Sequence, residues 1–193
     1  NYILKQHLRN HGSLFPKETH SKDGDILPRW VTVRDVISNL PPLDARTPEA
    51  AKCKTIPYHQ GPTLDKDKYF WVSNTKEDDS AFNNQCVNPS CLFTGNKTHG
   101  SEKDKNGINK SSTETPLFCA RCGSLLPRPW VVENGEYRLM KGYTSAYKRM
   151  SWDSPSSTLT SNISYACSDK KLHPSQNRVL SLYEAMMLHT ITD

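Results

Sequence analysis

Hydrophobic positions fall in short, separated groups along this chain, and few repeat for more than two helical turns. The first group with a clear period is Val33, Val36, Ile37 and Leu40, one face of a helix near 33–40. Thr32 stands at its N-cap with Asp35 three residues on, the pairing of a capping box, and Pro41-Pro42 must end it. Residues 68–73 (Lys-Tyr-Phe-Trp-Val-Ser) are aromatic and β-branched and predict a strand. Ser181 and Glu184 form a second capping box, opening a helix from about 182. Leu182, Ala185, Met186, Met187 and Leu188 make that helix apolar nearly all round, so it calls for a large packing partner. From 94 to 116 the one aliphatic residue is Ile108, and a mobile loop is expected there.

Composition sharpens this picture. Hydrophobic residues make up 35% of the 193, with 13 Pro and 9 Gly, and the mean hydropathy is −0.72. The chain is short of core material and rich in turns. No run approaches the ~18 apolar residues of a membrane span. The chain opens Asn1-Tyr2-Ile3-Leu4, with no charged or apolar leader, so no signal peptide is expected. It reads as a piece of something larger. A net charge of +5 permits an anionic partner without demanding one.

Six cysteines are too few for a disulfide scaffold, but four form two pairs, Cys86-x4-Cys91 and Cys119-x2-Cys122. Two short pairs separated by a longer stretch resemble a zinc ribbon. Gly123 supplies the positive φ such a turn needs, and Arg121 and Arg128 would offset the charge of a four-cysteine centre. The alternatives are two disulfides or four unlinked thiols; the spacing favours structural Zn2+. His99 could replace one cysteine, although a solvated loop histidine is the plainer reading. Cys53 and Cys167 lack partners at ligand spacing and read as small buried hydrophobes. Three Asn-x-Ser/Thr sequons (Asn96, Asn109, Asn162) would suit a secreted glycosylated module, but chance matches are expected in so polar a chain.

From Tyr137 to Trp152 the basic residues Arg138, Lys141, Lys148 and Arg149 interleave with Tyr137, Tyr143, Tyr147 and Trp152, and no acid interrupts them. Cations on phosphates with rings against sugars or bases would make this a nucleic-acid surface. The competing reading is a partly exposed strand pair. Arg138, Lys141, Tyr143, Lys148 and Arg149 are the expected DNA-binding residues, with Lys141-Gly142-Tyr143 as a turn. Arg138 and Arg149 are expected to read guanine edges, and Lys141 and Lys148 to hold phosphates. The alternative is a solvated face here, with Arg128 or the zinc loop reading the bases.

Towards the carboxy terminus, Pro155-Ser-Ser-Thr-Leu-Thr160 is followed by His173-Pro174, Asn177-Arg178, Ser181, Glu184-Ala185, Leu188 and Thr190. This series resembles the ninth and the start of the tenth conserved motif of DNA (cytosine-5) methyltransferases. Phe15-Pro16, Thr19-His20 and Trp30 to Pro41 resemble the segment after that family's eighth motif, and the Cys-rich middle falls where the family has its target recognition domain. Ser157 and His189 depart from the usual Pro and Gln. The resemblance implies three parts: a connecting segment over 1–52, a recognition domain over 53–153, and motif nine with the start of motif ten over 154–193.

The implied fold is α+β, a small irregular β-rich recognition domain with a zinc-ribbon-like insertion and short flanking helices. The implied partners are double-stranded DNA and the catalytic domain of a parent enzyme, in a bacterial cytoplasm. No Pro-Cys nucleophile, Glu-Asn-Val or Gly-rich S-adenosylmethionine motif is present. The chemistry, with its thiolate attack on a flipped cytosine, is therefore expected of the parent enzyme and not of this chain alone. The alternative class is a free-standing zinc-ribbon nucleic-acid-binding or adaptor protein.

Overall fold

The computed structural model describes residues 18–99, 105, 115–140 and 146–191. The chain forms two compact units, Asn1–Val31 and Thr32–Asp193. In the first, a bridge pairs Ser21 with Arg29, and the Trp30 amide donates to the Ser21 carbonyl at 2.9 Å. The larger unit runs α1 (Val33–Ile37), α2 (Lys66–Ser73), a 3-10 turn (Ala81–Asn83), β1 (Trp130–Glu133), β2 (Glu136–Leu139) and α3 (Leu182–Leu188).

Five residues make too short a helix to stand alone. The capping box of Thr32 and Asp35 forms as expected. Two further amides at the start of α1, those of Val33 and Arg34, donate to the carbonyls of Ser154 and Trp152, each at 3.0 Å. Arg34 also meets Asp153 at 2.7 Å. The first turn of α1 is therefore held by the segment just ahead of Pro155.

Residues 68–73 lie in α2 and not in the expected strand. Asp65 accepts from the Lys68 amide at 2.8 Å, capping the helix. Trp71 and Val72 are both buried; consecutive residues point to opposite faces of a strand but share one flank of a helix. Burial on that flank overrides β-propensity.

The strands form one antiparallel hairpin, with Trp130 opposite Leu139 and Glu133 opposite Glu136. Asn134 and Gly135 both take positive φ, 52° and 82°, as a tight two-residue hairpin turn requires. Beyond it, pairing among the described residues of the larger unit is limited to isolated bridges, among them Ser80 with Lys148 and Leu172 with Val179. The architecture is α+β, with less strand than the sequence suggests.

Two apolar clusters organise the larger unit. Trp71, Val72, Phe82, Trp130 and Tyr147 pack with Ala166, Leu172 and Val179, and the Trp71 ring meets Trp130 edge-on at 5.1 Å. Val33 and Ile37 of α1 pack with Met150, Leu159, Leu180 and Ala185. Residues after 153 thus feed both clusters. The expected boundary at 153 is not a break in packing, and the break at Val31 falls inside the segment expected to run over 1–52.

Candidate metal centre

Sequence spacing and chain geometry converge on Cys86, Cys91, Cys119 and Cys122. Their sulfurs all lie within 4.8 Å of one another, with Cys86 and Cys122 at 3.6 Å and Cys91 and Cys119 at 3.9 Å. A zinc–sulfur bond of ~2.3 Å in a tetrahedron puts sulfurs about 3.8 Å apart. A disulfide needs ~2.05 Å, and all six cysteines are free thiols. The four could hold one metal ion.

Two backbone turns aim these thiols. In the first knuckle the Cys91 and Leu92 amides donate to the Asn88 carbonyl, at 2.9 and 3.0 Å. In the second, the Gly123 amide donates to the Cys119 carbonyl at 2.8 Å. Gly123 has φ 71°, and a Cβ placed there would meet nothing within 4 Å. The glycine is needed for its backbone conformation and not for space.

The thiols differ in acidity. Hydrogen bonding with the side chain and backbone of Ser124 brings the Cys122 pKa down to about 6. Burial, with the neighbouring thiols, pushes Cys91 up to about 12. Cys119 is moved up by burial and down by the amides of Cys122 and Arg121, and settles below its ordinary value.

Three side chains that the sequence did not single out support the ligands. Buried Asn96 accepts from the Ala120 amide at 2.9 Å and turns its own amide towards the Cys119 sulfur, 3.9 Å away. Asn88 donates to Ser124 at 2.8 Å, and Ser124 lies 3.3 Å from the Cys122 sulfur. Such outer contacts fix ligand orientation. Asn96 had a signal in the sequence as a sequon, but its side chain is buried and used by the protein, so it is no glycan acceptor. Asn109 lies outside the described residues.

Several expectations change here. His99 is not a solvated loop residue: it is buried and stacks on Phe82 with ring centres 4.3 Å apart. The metal-ligand group among the described residues is the four cysteines. Arg128 does not serve the sulfurs. It is fully buried and donates to the carbonyls of Asn84 and Pro116, each at 2.8 Å. Arg121 does stay at the knuckle, its guanidinium 4.4 Å from the Phe93 ring centre. Cys53 and Cys167 are half-buried, Cys53 beside the Thr55 hydroxyl and Cys167 beside that of Tyr147.

Of the expected DNA-binding residues, Arg138, Lys148 and Arg149 are described, and each is engaged by other residues of the chain. Arg138 pairs along the hairpin with Glu133, at 2.8 Å from Nε. Lys148 lies 3.7 Å from Asp78, which Lys170 also contacts at 3.0 Å. Lys141 and Tyr143 lie outside the described residues, as does the turn expected there.

Arg149 is overturned as a base reader, being 3% exposed. It donates to the carbonyls of Val72 and Thr75 and to Asn177 Oδ1, each at 2.8 Å, to the His173 carbonyl at 2.7 Å, and to the Gln176 carbonyl. A guanidinium offers five donors, and here all face inward. Burial without a carboxylate brings its pKa down to about 10. Tyr147, buried against Trp71, also leaves the surface.

The carboxy-terminal residues quoted above do converge. Glu184, 0% exposed, accepts from Arg178 at 2.6 and 2.7 Å and from the Ser181 amide at 2.7 Å. Burial pulls its pKa up, but the Arg178 hydrogen bonds and charge outweigh this and leave it below the ordinary carboxylate range. His173 Nδ1 accepts from the amides of Ser175 and Gln176 at 3.2 and 3.0 Å. Burial, together with the charge of Arg178, brings the His173 pKa down to about 3. The buried His59 ring joins the ends, with Nε2 2.9 Å from the Pro41 carbonyl and Nδ1 2.9 Å from the Ser181 hydroxyl. No helix among the described residues is long and apolar enough to cross a membrane.

No protein-family profile, curated protein or solved structure matches this chain.

Proposed function

We propose that this chain is the DNA-binding target recognition portion of an S-adenosylmethionine-dependent DNA (cytosine-5) methyltransferase of bacterial restriction-modification type. Cys86, Cys91, Cys119 and Cys122 hold a structural Zn2+ that substitutes for core in an apolar-poor domain. One observation carries the reading. Of the residues of the family resemblance, His173, Arg178, Ser181 and Glu184 are partners in one buried network.

S-adenosylmethionine and the attacking thiolate belong to the parent enzyme's catalytic domain, and no step is assigned to this chain. The second reading, a free-standing zinc-ribbon nucleic-acid-binding or adaptor protein, is favoured by the knuckles alone and leaves the buried network without a purpose.

The test joins this chain to the coding sequence on either side of it in its gene. That protein should move labelled methyl groups from S-adenosylmethionine to cytosine C5 in double-stranded DNA, and the upstream sequence should read Pro-Cys and Glu-Asn-Val. A gene without those motifs, or a joined protein without transfer, overturns the proposal.

A further inference from the structure

Among the described arginines of the larger unit, all but one are committed. Arg34, Arg46, Arg138 and Arg178 lie against carboxylates, and Arg128 and Arg149 are buried. The remaining one is Arg121.

Arg121 sits between two metal ligands on the turn Ala120–Gly123, all four residues of which are exposed. Its guanidinium lies over the Phe93 ring, a contact that steadies its plane, and the residue is exposed. The chain supplies no competing acid nearby in sequence: there is no Asp or Glu between Asp79 and Glu102, or between Glu114 and Glu133. The turn is anchored at both ends by cysteines and braced by Asn96 through the Ala120 amide. An exposed cation on a turn braced in this way can present its donors to a groove edge.

We infer that Arg121, carried on the second knuckle and steadied by Phe93, reads a guanine edge in the major groove of double-stranded DNA. The inference rests on the DNA-binding reading above. It replaces Arg149, which is buried, with an exposed arginine. A bidentate bond to guanine O6 and N7 distinguishes the right base from a wrong one by about tenfold to a hundredfold.

The test is selection from randomised duplex DNA at low salt, followed by titration, with the zinc-loaded full chain. Wild type should enrich one short motif containing a G·C pair. Arg121→Ala should lose discrimination at that one pair by tenfold or more, with an unchanged melting temperature because the side chain is exposed. Arg121→Lys should lose it as well, since an ammonium can hold a phosphate but not both guanine acceptors. Phe93→Leu should lose part of it. An Arg121→Ala or Arg121→Lys protein that enriches the wild-type motif with equal discrimination overturns the inference while leaving the methyltransferase reading to its own test. Wild-type chain that binds no duplex, or prefers RNA, also overturns it.

Discussion

Replacing Glu184 with Gln alters one atom of a side chain that the solvent never reaches, and should cost more than any surface ion pair. The carboxylate takes two hydrogen bonds from Arg178 and one from the Ser181 amide, and both charged side chains are at most 1% exposed. The amide keeps the shape but turns a donor towards the guanidinium, losing at least one charge-assisted bond of roughly 1.5–3 kcal/mol. It also leaves a buried arginine without its anion. Breaking such a pair from one side costs about 3–5 kcal/mol, a large share of the roughly 5–15 kcal/mol typical of a whole domain.

The natural control is Asp153→Asn. Its pair with Arg34 is half-exposed, with side chains at 50% and 63%, and should contribute little to stability. Urea unfolding at neutral pH and saturating zinc would measure both. Trp152 fluorescence is a local reporter, its ring edge-on to His173 at 5.1 Å. A double variant, Arg178→Met with Glu184→Leu, should be more stable than Glu184→Gln, because no lone charge remains buried. If Glu184→Gln loses no more stability than Asp153→Asn, the network is not the lock described here.

Metal analysis of protein purified without added zinc should find about one equivalent, and Cys119→Ser should lower both metal content and melting temperature; metal-free protein of unchanged stability would end the zinc assignment. Acid should act through His173, whose folded pKa of about 3 lies below the ordinary value of about 6.5. Its contribution is whole above about pH 6.5 and is lost as pH falls towards 3, by at most about 5 kcal/mol in total. Between about pH 6 and 4, wild type should therefore lose about 1.4 kcal/mol per pH unit more than His173→Asn, whose side-chain oxygen takes the place of Nδ1; parallel slopes would refute this. The chain alone should transfer no labelled methyl group from S-adenosylmethionine to any DNA, and turnover above background would show that the chemistry is not confined to the rest of the enzyme.

What the sequence disclosed were features whose physics is local. Both capping boxes and the cysteine knuckles depend on residues a few positions apart, and spacing encodes them directly. What it concealed were choices made by distant partners. Residues 68–73 carry strand-like side chains, yet a capping aspartate and the burial of two adjacent residues make them a helix. Arg149 sits in a run of basic and aromatic residues that reads as a nucleic-acid surface, but its partners lie 24 to 77 positions away. A basic residue's neighbours in sequence do not say whether it faces water. His99 likewise looks solvated until Phe82 is seen stacked against it.

The cage around Arg149 also bears on the order in which this protein can assemble. Its oxygen acceptors come from the end of α2 and from residues 173–177, so the site draws on three separate stretches of chain. During synthesis, the helix that buries Trp71 emerges long before the loop that completes the cage. Until residues 173–177 leave the ribosome, a guanidinium destined for the interior has only water and two of its five acceptors. The first apolar cluster, which also waits for Leu172 and Val179, cannot close early. Folding of this unit is therefore a late, long-range event, slow in proportion to the loops it must shut, and a nascent chain stalled before 173 would present Trp71 and Phe82 to chaperones and proteases.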